Sequence, residues 1–223
     1  MAQKRAVVRQ SLPDVIATDL RNRILSGDLA EGSLIRQELL AEEYDVSRMP
    51  VREALKRLDS EGLVVFINNR GATVTKHSLA EIAEFFDVRI LLEVDLLKKS
   101  IPLMDEHHFD QCRELLNEME ASYAAGNVAD WGPLNAQYHA LLYEAANQKL
   151  TMQLLERVSM QANRYVSMHI DQLSKADNAE HDHRALFNLA RLRDVDGAAD
   201  LLKAHLENTK QQILELIAAT RSK

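Results

Sequence analysis

The sequence predicts a mostly helical chain in two parts: three short helices closed by a β-hairpin, then an antiparallel bundle of six longer helices. Three observations carry that expectation. Glycine, proline and β-branched residues gather before residue 76, and beyond it apolar positions recur at helical spacing over long stretches. The charge divides at the same place: residues 1–75 hold 11 Lys or Arg against 11 Asp or Glu, and residues 76–223 hold 16 against 23, so the net charge of −7 belongs to the second part. The histidines are uneven too, with seven of the eight after residue 100. The expected domains are therefore 1–76 and 77–223, each able to bury a core.

The first helix is expected over residues 13–25, where Ile16, Leu20 and Ile24 recur every four residues and Gly27 follows as a stop. A second, short helix covers about 36–44. A third follows Ser47, an N-cap candidate, and runs to Ser60 before Gly62 ends it. Pro50 is tolerated because first-turn N–H groups lack helical partners anyway. The period then changes: residues 63–67 and 72–75 are β-prone and flank the turn-forming Asn68-Asn69-Arg70-Gly71. Three helices and a hairpin outline a winged helix-turn-helix.

The second part opens on Ser78 and Glu81, spaced as a capping box, with a helix to about residue 99. Further helices are expected from near Asp105, Asp130, Lys149, Glu180 and Asp194; short loops make an antiparallel bundle the default packing. No run approaches 18 consecutive apolar residues, no apolar run follows the N-terminal charges, and Cys112 is the only cysteine. A cytoplasmic protein with no membrane partner is expected.

The sharpest local signal is residues 46–58. Val51, Leu55 and Leu58, with Ala54 beside them, share one helical face, while Arg48, Arg52 and Lys56 step by four along another. A recognition helix needs this division, because an apolar back anchors it and long donors reach the groove, where Arg can bond guanine bidentately. A plainly solvated face is the alternative. Gly71 at the hairpin tip, beside Arg70, would let the backbone approach a groove wall closely. A part with no net charge can bind DNA when its cations gather on one face, since phosphate neutralisation is local.

The run from Ala17 to Thr75 resembles the DNA-binding domain of GntR-family regulators. The matching pieces are residues 20–27, Leu40-Ala41-Glu42-Glu43, Val46-Ser47-Arg48, Pro50-Val51-Arg52-Glu53-Ala54-Leu55, Leu58, Glu61-Gly62-Leu63 and Arg70-Gly71. Met49 stands where Thr is usual, and Ala30-Glu31-Gly32 replaces the common Pro-Gly loop. The expected DNA contacts are Arg36, Ser47, Arg48, Arg52, Lys56, Arg70 and Gly71. The partner is double-stranded operator DNA with an inverted repeat, read by a homodimer or possible tetramer.

In the helical part, Asn135 and His139 lie four apart on one helix, and His183 and His205 lie on the inward sides of the last two. An amide oxygen and three imidazoles from three helices could bind a borderline transition metal, or the histidines could be hydrogen-bonded core residues. Arg89 falls on the Ile82–Phe85–Arg89–Leu92 stripe, expected to face the core. A buried guanidinium needs an anion, which Glu93 or a ligand carboxylate can supply. Trp131, Arg164, Tyr165 and Met168 are candidates for pocket lining or for ordinary packing. His181 is two residues from His183 and so off its face; His107, His108 and His169 are given no role.

Residues 79–216 resemble the helical ligand-binding domain, called FCD, of the FadR-type branch of that family. The matching residues are Val88-Arg89, Leu92-Glu93, Asn135, Tyr138-His139, His183-Arg184-Ala185-Leu186, Arg193-Asp194 and Ala204-His205-Leu206. The resemblance implies that Asn135, His139, His183 and His205 bind a divalent metal, zinc first and nickel or manganese otherwise, and that Arg89 holds an effector carboxylate. Asn135 replaces the usual Asp, which leaves more charge on the metal. Tyr138, Arg164 and Tyr165 complete the expected effector contacts. Six helices point to the VanR-like subgroup. The expected function is a transcriptional regulator, a repressor relieved by a small carboxylate metabolite. Two other classes compete. A metalloenzyme lacks an HExxH helix or a suitably spaced carboxylate base. An ion-only sensor fits the same ligands but has no use for Arg89.

Overall fold

A computed structural model describes residues 11–68, 70–125, 127–168 and 179–221. Asn69 of the expected turn lies outside them. The chain divides into two compact units, residues 1–76 and 77–223.

In the first unit, α1 (Leu12–Leu25) is started by Ser11, whose N–H donates to Asp14 Oδ2 at 3.2 Å, and it buries Ile16, Ala17, Leu20 and Ile24. The helices α2 (Gln37–Glu43) and α3 (Arg48–Ser60) follow, with Ser47 as the extended N-cap of α3. Val51, Ala54, Leu55 and Leu58 of α3 are fully buried and pack toward α1 and α2. Three antiparallel strands, β1 (Leu34–Arg36), β2 (Val64–Ile67) and β3 (Gly71–Val74), form a sheet in the order β1-β3-β2. This is a winged helix-turn-helix.

The hairpin β2–β3 follows the sequence pattern, but β1 does not: three residues are too few for a visible alternation, and their pairing of Leu34 with Thr73 and Arg36 with Gly71 is non-local. Arg36, expected to open the second helix, instead ends β1 and caps α2.

The second unit holds six α-helices among the described residues: α4 (Leu79–Ser100), α5 (Glu106–Ala124), α6 (Val128–Glu144), α7 (Lys149–Met168), α8 (Ala179–Arg191) and α9 (Val195–Arg221). The Ser78–Glu81 capping box starts α4, with Glu81 N–H donating to Ser78 Oγ at 3.2 Å and Ser78 N–H to Glu81 Oε2 at 2.7 Å. One cluster of buried residues includes Phe109, Cys112, Leu116, Tyr138, Leu142, Leu186 and Phe187. A second joins Ile82, Phe86, Ala162, Tyr165, Ile213 and Ile217. Among the described residues, no helix is long and apolar enough to cross a membrane.

Candidate DNA-reading face and metal centre

The helix α3 separates its chemistry by angle. Its apolar side is sealed, so Arg48, Arg52 and Lys56 stand exposed on the other. The cations of this unit then divide by partner. Arg21 donates two bonds to Glu61, at 2.8 and 2.6 Å, Arg23 reaches Asp28 at 2.9 Å and Glu43 at 2.8 Å, and Arg57 is ion-paired with Asp14. Arg48 lies 3.0 Å from Glu38 on the neighbouring helix. Arg36, Arg52, Lys56 and Arg70 are exposed and make no ion pair among the described residues. Ser47 is exposed at the start of α3, where backbone N–H groups favour an anion.

Gly71 has a different duty from the expected one. It is buried with φ of +128°, and a Cβ there would come 1.8 Å from the carbonyl oxygen of Ile35. Close approach of β1, rather than of a groove wall, is what requires glycine.

In the helical unit, the buried stripe of α4 runs through Ile82, Phe86, Arg89, Ile90, Glu93 and Leu97, about one position round from the expected one. Glu93 is therefore inside with Arg89. Arg89 Nε donates to Glu93 Oε1 at 2.8 Å and Nη1 to Asn163 Oδ1 on α7 at 3.2 Å. Of the two anions the sequence allowed for Arg89, the internal one is in place.

His139 on α6, His183 on α8 and His205 on α9 converge, with one nitrogen from each lying within 4.8 Å of the others. His139 and His183 are only 5% and 3% exposed. Burial holds both imidazoles well below their usual pKa, and the neighbouring histidines push the same way, so both are neutral with lone pairs free for a metal. Their Nε2 atoms face each other at 3.3 Å. That edge suits two ligands of a tetrahedral ion with bonds of about 2.0–2.1 Å. His183 Nδ1 is buried with no hydrogen-bond partner among the described residues. The residues thus fit a divalent ion: His139, His183 and His205 would hold it, with Asn135 one turn from His139. When bound, such an ion supplies a Lewis-acid centre for an anionic ligand.

Two contacts orient these histidines. Asp182 Oδ2 lies 3.1 Å from His205 Nδ1, and the Tyr143 hydroxyl lies 3.1 Å from His139 Nδ1. Burial and the adjacent Glu93 push the Tyr143 hydroxyl well above its usual pKa, which keeps it protonated. Neither Asp182 nor Tyr143 stands out in the sequence: Tyr143 carries the weak signal of i,i+4 spacing from His139, and Asp182 none, since it adjoins His183 yet serves His205.

A cavity of about 520 Å³ opens beside this cluster, between α4, α6 and α7. Arg89, Glu93, Asn135, His139, Tyr143 and Asn163 give it polar walls, and Met152, Leu155 and Met160 apolar ones. Tyr138, Arg164 and Tyr165, expected as effector contacts, are not among its lining residues. Tyr138 is wholly buried and its hydroxyl donates to the carbonyl of His183 at 2.9 Å, so it braces the backbone at His183. Tyr165 packs in the core against Ile82, Phe86 and Ile213, because its helical position points there, and the buried Arg164 guanidinium lies 5.7 Å from the Tyr165 ring centre. His181 is exposed. The side chain of Met168 and all of His169 lie outside the described residues.

A winged helix-turn-helix unit followed by a helical unit with a polar cavity beside three converging histidines defines a class, that of DNA-binding transcriptional regulators. Comparison with known proteins agrees. Residues 4–74 match bacterial regulatory proteins of the gntR family, and residues 84–208 match the FCD domain. The chain belongs to the GntR family of transcriptional regulators and carries an FCD domain. It is 23% identical to the HTH-type transcriptional repressor RspR of Escherichia coli over 88% of this chain and 86% of that one. Identity with the HTH-type regulator BphR of Paraburkholderia xenovorans is 29% over 90% and 84%. The fold matches that of E. coli McbR/YncC with a TM-score of 0.80 at 18% identity, over 94% of this chain and all of that one. The chain is a transcriptional regulator.

Proposed function

We propose that this regulator is a repressor whose grip on an inverted-repeat operator is released by a small carboxylate metabolite, bound beside a divalent metal in the helical unit. The observation that carries the reading is the convergence of three histidines, two of them buried and neutral, one of which, His139, lines a cavity of ligand size. Charge then selects the ligand class. Arg89 and a divalent ion bring three positive charges against two from Glu93 and Asp182. One positive charge remains in a low-dielectric interior, and a monocarboxylate would offset it. Arg36, Arg52, Lys56 and Arg70 carry the DNA contacts, in a cytoplasmic dimer that presents two copies of α3 to two half-sites.

The pairing of Arg89 with Glu93 favours a second reading, in which the metal ion is itself the signal, since Arg89 no longer lacks an anion. The cavity weighs against it, as an ion alone needs no such space. The deciding experiment selects an operator from random duplex DNA, then titrates mono-, di- and aromatic carboxylates into the complex with wild type and Arg89→Ala. A carboxylate should weaken operator binding, and operator should weaken carboxylate binding by the same factor. Release by metal alone, or equal carboxylate affinity in Arg89→Ala, overturns the carboxylate reading.

A further inference from the structure

One carboxylate serves both halves of the helical site. Glu93, 1% exposed, accepts Arg89 Nε on Oε1 at 2.8 Å and the Tyr143 hydroxyl on Oε2 at 2.6 Å. The Tyr143 oxygen in turn lies 3.1 Å from His139 Nδ1. Glu93 Oε2 itself is 3.9 Å from that nitrogen, too far for a hydrogen bond, so Tyr143 is the link.

Counting protons leaves one arrangement. A hydroxyl has a single hydrogen, and a carboxylate paired with a guanidinium only accepts. Tyr143 therefore gives its hydrogen to Glu93, and its oxygen can only accept from His139. His139 Nδ1 must carry the imidazole proton, which leaves the lone pair on Nε2, the atom 3.3 Å from His183 Nε2. On His205 a carboxylate does the same directly, through Asp182 at 3.1 Å. Outer partners of this kind set the tautomer and orientation of metal-binding histidines.

We propose that Tyr143 and Glu93 are positioning residues of the metal centre: they hold His139 as the Nδ1–H tautomer and aim its Nε2 lone pair at the ion, while the same Glu93 fixes Arg89 in the cavity wall. The proposal rests on the metal reading given above. The sites of metal and organic ligand are thereby joined by a continuous chain, Arg89–Glu93–Tyr143–His139.

Two measurements on the full chain test it. In metal-free wild type, long-range proton–nitrogen NMR should find the His139 proton on Nδ1; a proton on Nε2 overturns the proposal. In competition with a chelator, Tyr143→Phe, which keeps the ring and loses only the hydroxyl, should bind zinc about 10–100-fold more weakly. The visible bands of the cobalt-substituted protein should shift in the same variant, which a merely structural role would not cause. Zinc affinity within about twofold of wild type, with unshifted bands, overturns the positioning role and leaves the metal centre standing. Absence of zinc and cobalt binding by the wild type overturns both.

Discussion

The two units place their chemistry on opposite sides of their cores. In the winged unit the candidate DNA-contacting cations are outside: α3 buries Val51, Ala54, Leu55 and Leu58 and exposes Arg52 and Lys56. In the helical unit Arg89, Glu93, His139 and His183 are all less than 10% exposed, with Arg89 hydrogen-bonded to Glu93 and His139 joined to Glu93 through Tyr143. An exposed cation keeps its hydration until a phosphate arrives, so it needs no internal partner and salt screens it freely. A buried group must have each polar atom satisfied inside the protein or by a ligand. The first kind of site works through its number of contacts, and the second through its wiring. Substitutions should therefore act locally in the winged unit and propagate in the helical one.

The largest effect is expected where wiring is removed altogether. Replacing His139, His183 and His205 together by Ala should take the metal content of tag-free protein from about one ion per chain to none, read by elemental analysis, with helical content preserved. The metal centre is refuted if wild type carries no ion and shows no thermal shift with zinc, nickel or manganese.

Backbone geometry comes next, and it is the exception that sharpens the contrast, since one wing residue is as constrained as any in the bundle. Gly71→Ala should destabilise the winged unit by about 3 kcal/mol or more, through the φ of +128° and the clash with Ile35. Denaturant unfolding followed on the isolated transition of that unit would read it, and a loss below about 1 kcal/mol would show that the sheet yields.

Acid should then separate the two units. Burial holds the folded-state pKa values of His139 and His183 well below the usual one; neighbouring histidines also oppose protonation of both rings, Arg89 opposes it at His139, and Asp182 favours it at His183. Above about pH 7 both states of the chain hold these rings neutral, and stability is unaffected. Below about 6.5 the unfolded chain takes up protons that the native protein refuses, so stability falls as pH falls, by up to about 1.4 kcal/mol per pH unit for each ring. Metal-free protein scanned from pH 7.5 to 5.5 should lose melting temperature in the helical transition alone. A flat profile would mean that the rings protonate in place.

The smallest effects belong to single surface cations, and two neighbours on α3 make the test. Arg52→Ala should weaken specific operator binding by about 1–3 kcal/mol and flatten discrimination against scrambled DNA. Arg57→Ala, which removes an exposed pair with Asp14, should change stability by no more than about 1 kcal/mol and leave specificity intact. Equal effects of the two would break the division between reading and bracing cations.

What the sequence by itself determined is everything that one helix or one hairpin can express. The cap at Ser78, the stop at Gly27, the apolar and cationic sides of α3 and the inward histidines are all local periodicities, and a period of 3.6 places a residue on a face whatever the face meets. Tertiary structure alone decided which faces meet. It added β1 to the wing and so assigned Gly71 to the sheet, turned α4 until Glu93 met Arg89, and put Asp182 behind His205 across 23 residues. It also withdrew Tyr138 and Tyr165 into the core. The physical reason is that a buried polar group is satisfied by whatever atom the packing delivers to within about 3 Å, and the identity of that atom is a property of non-local contacts, on which local spacing carries no information.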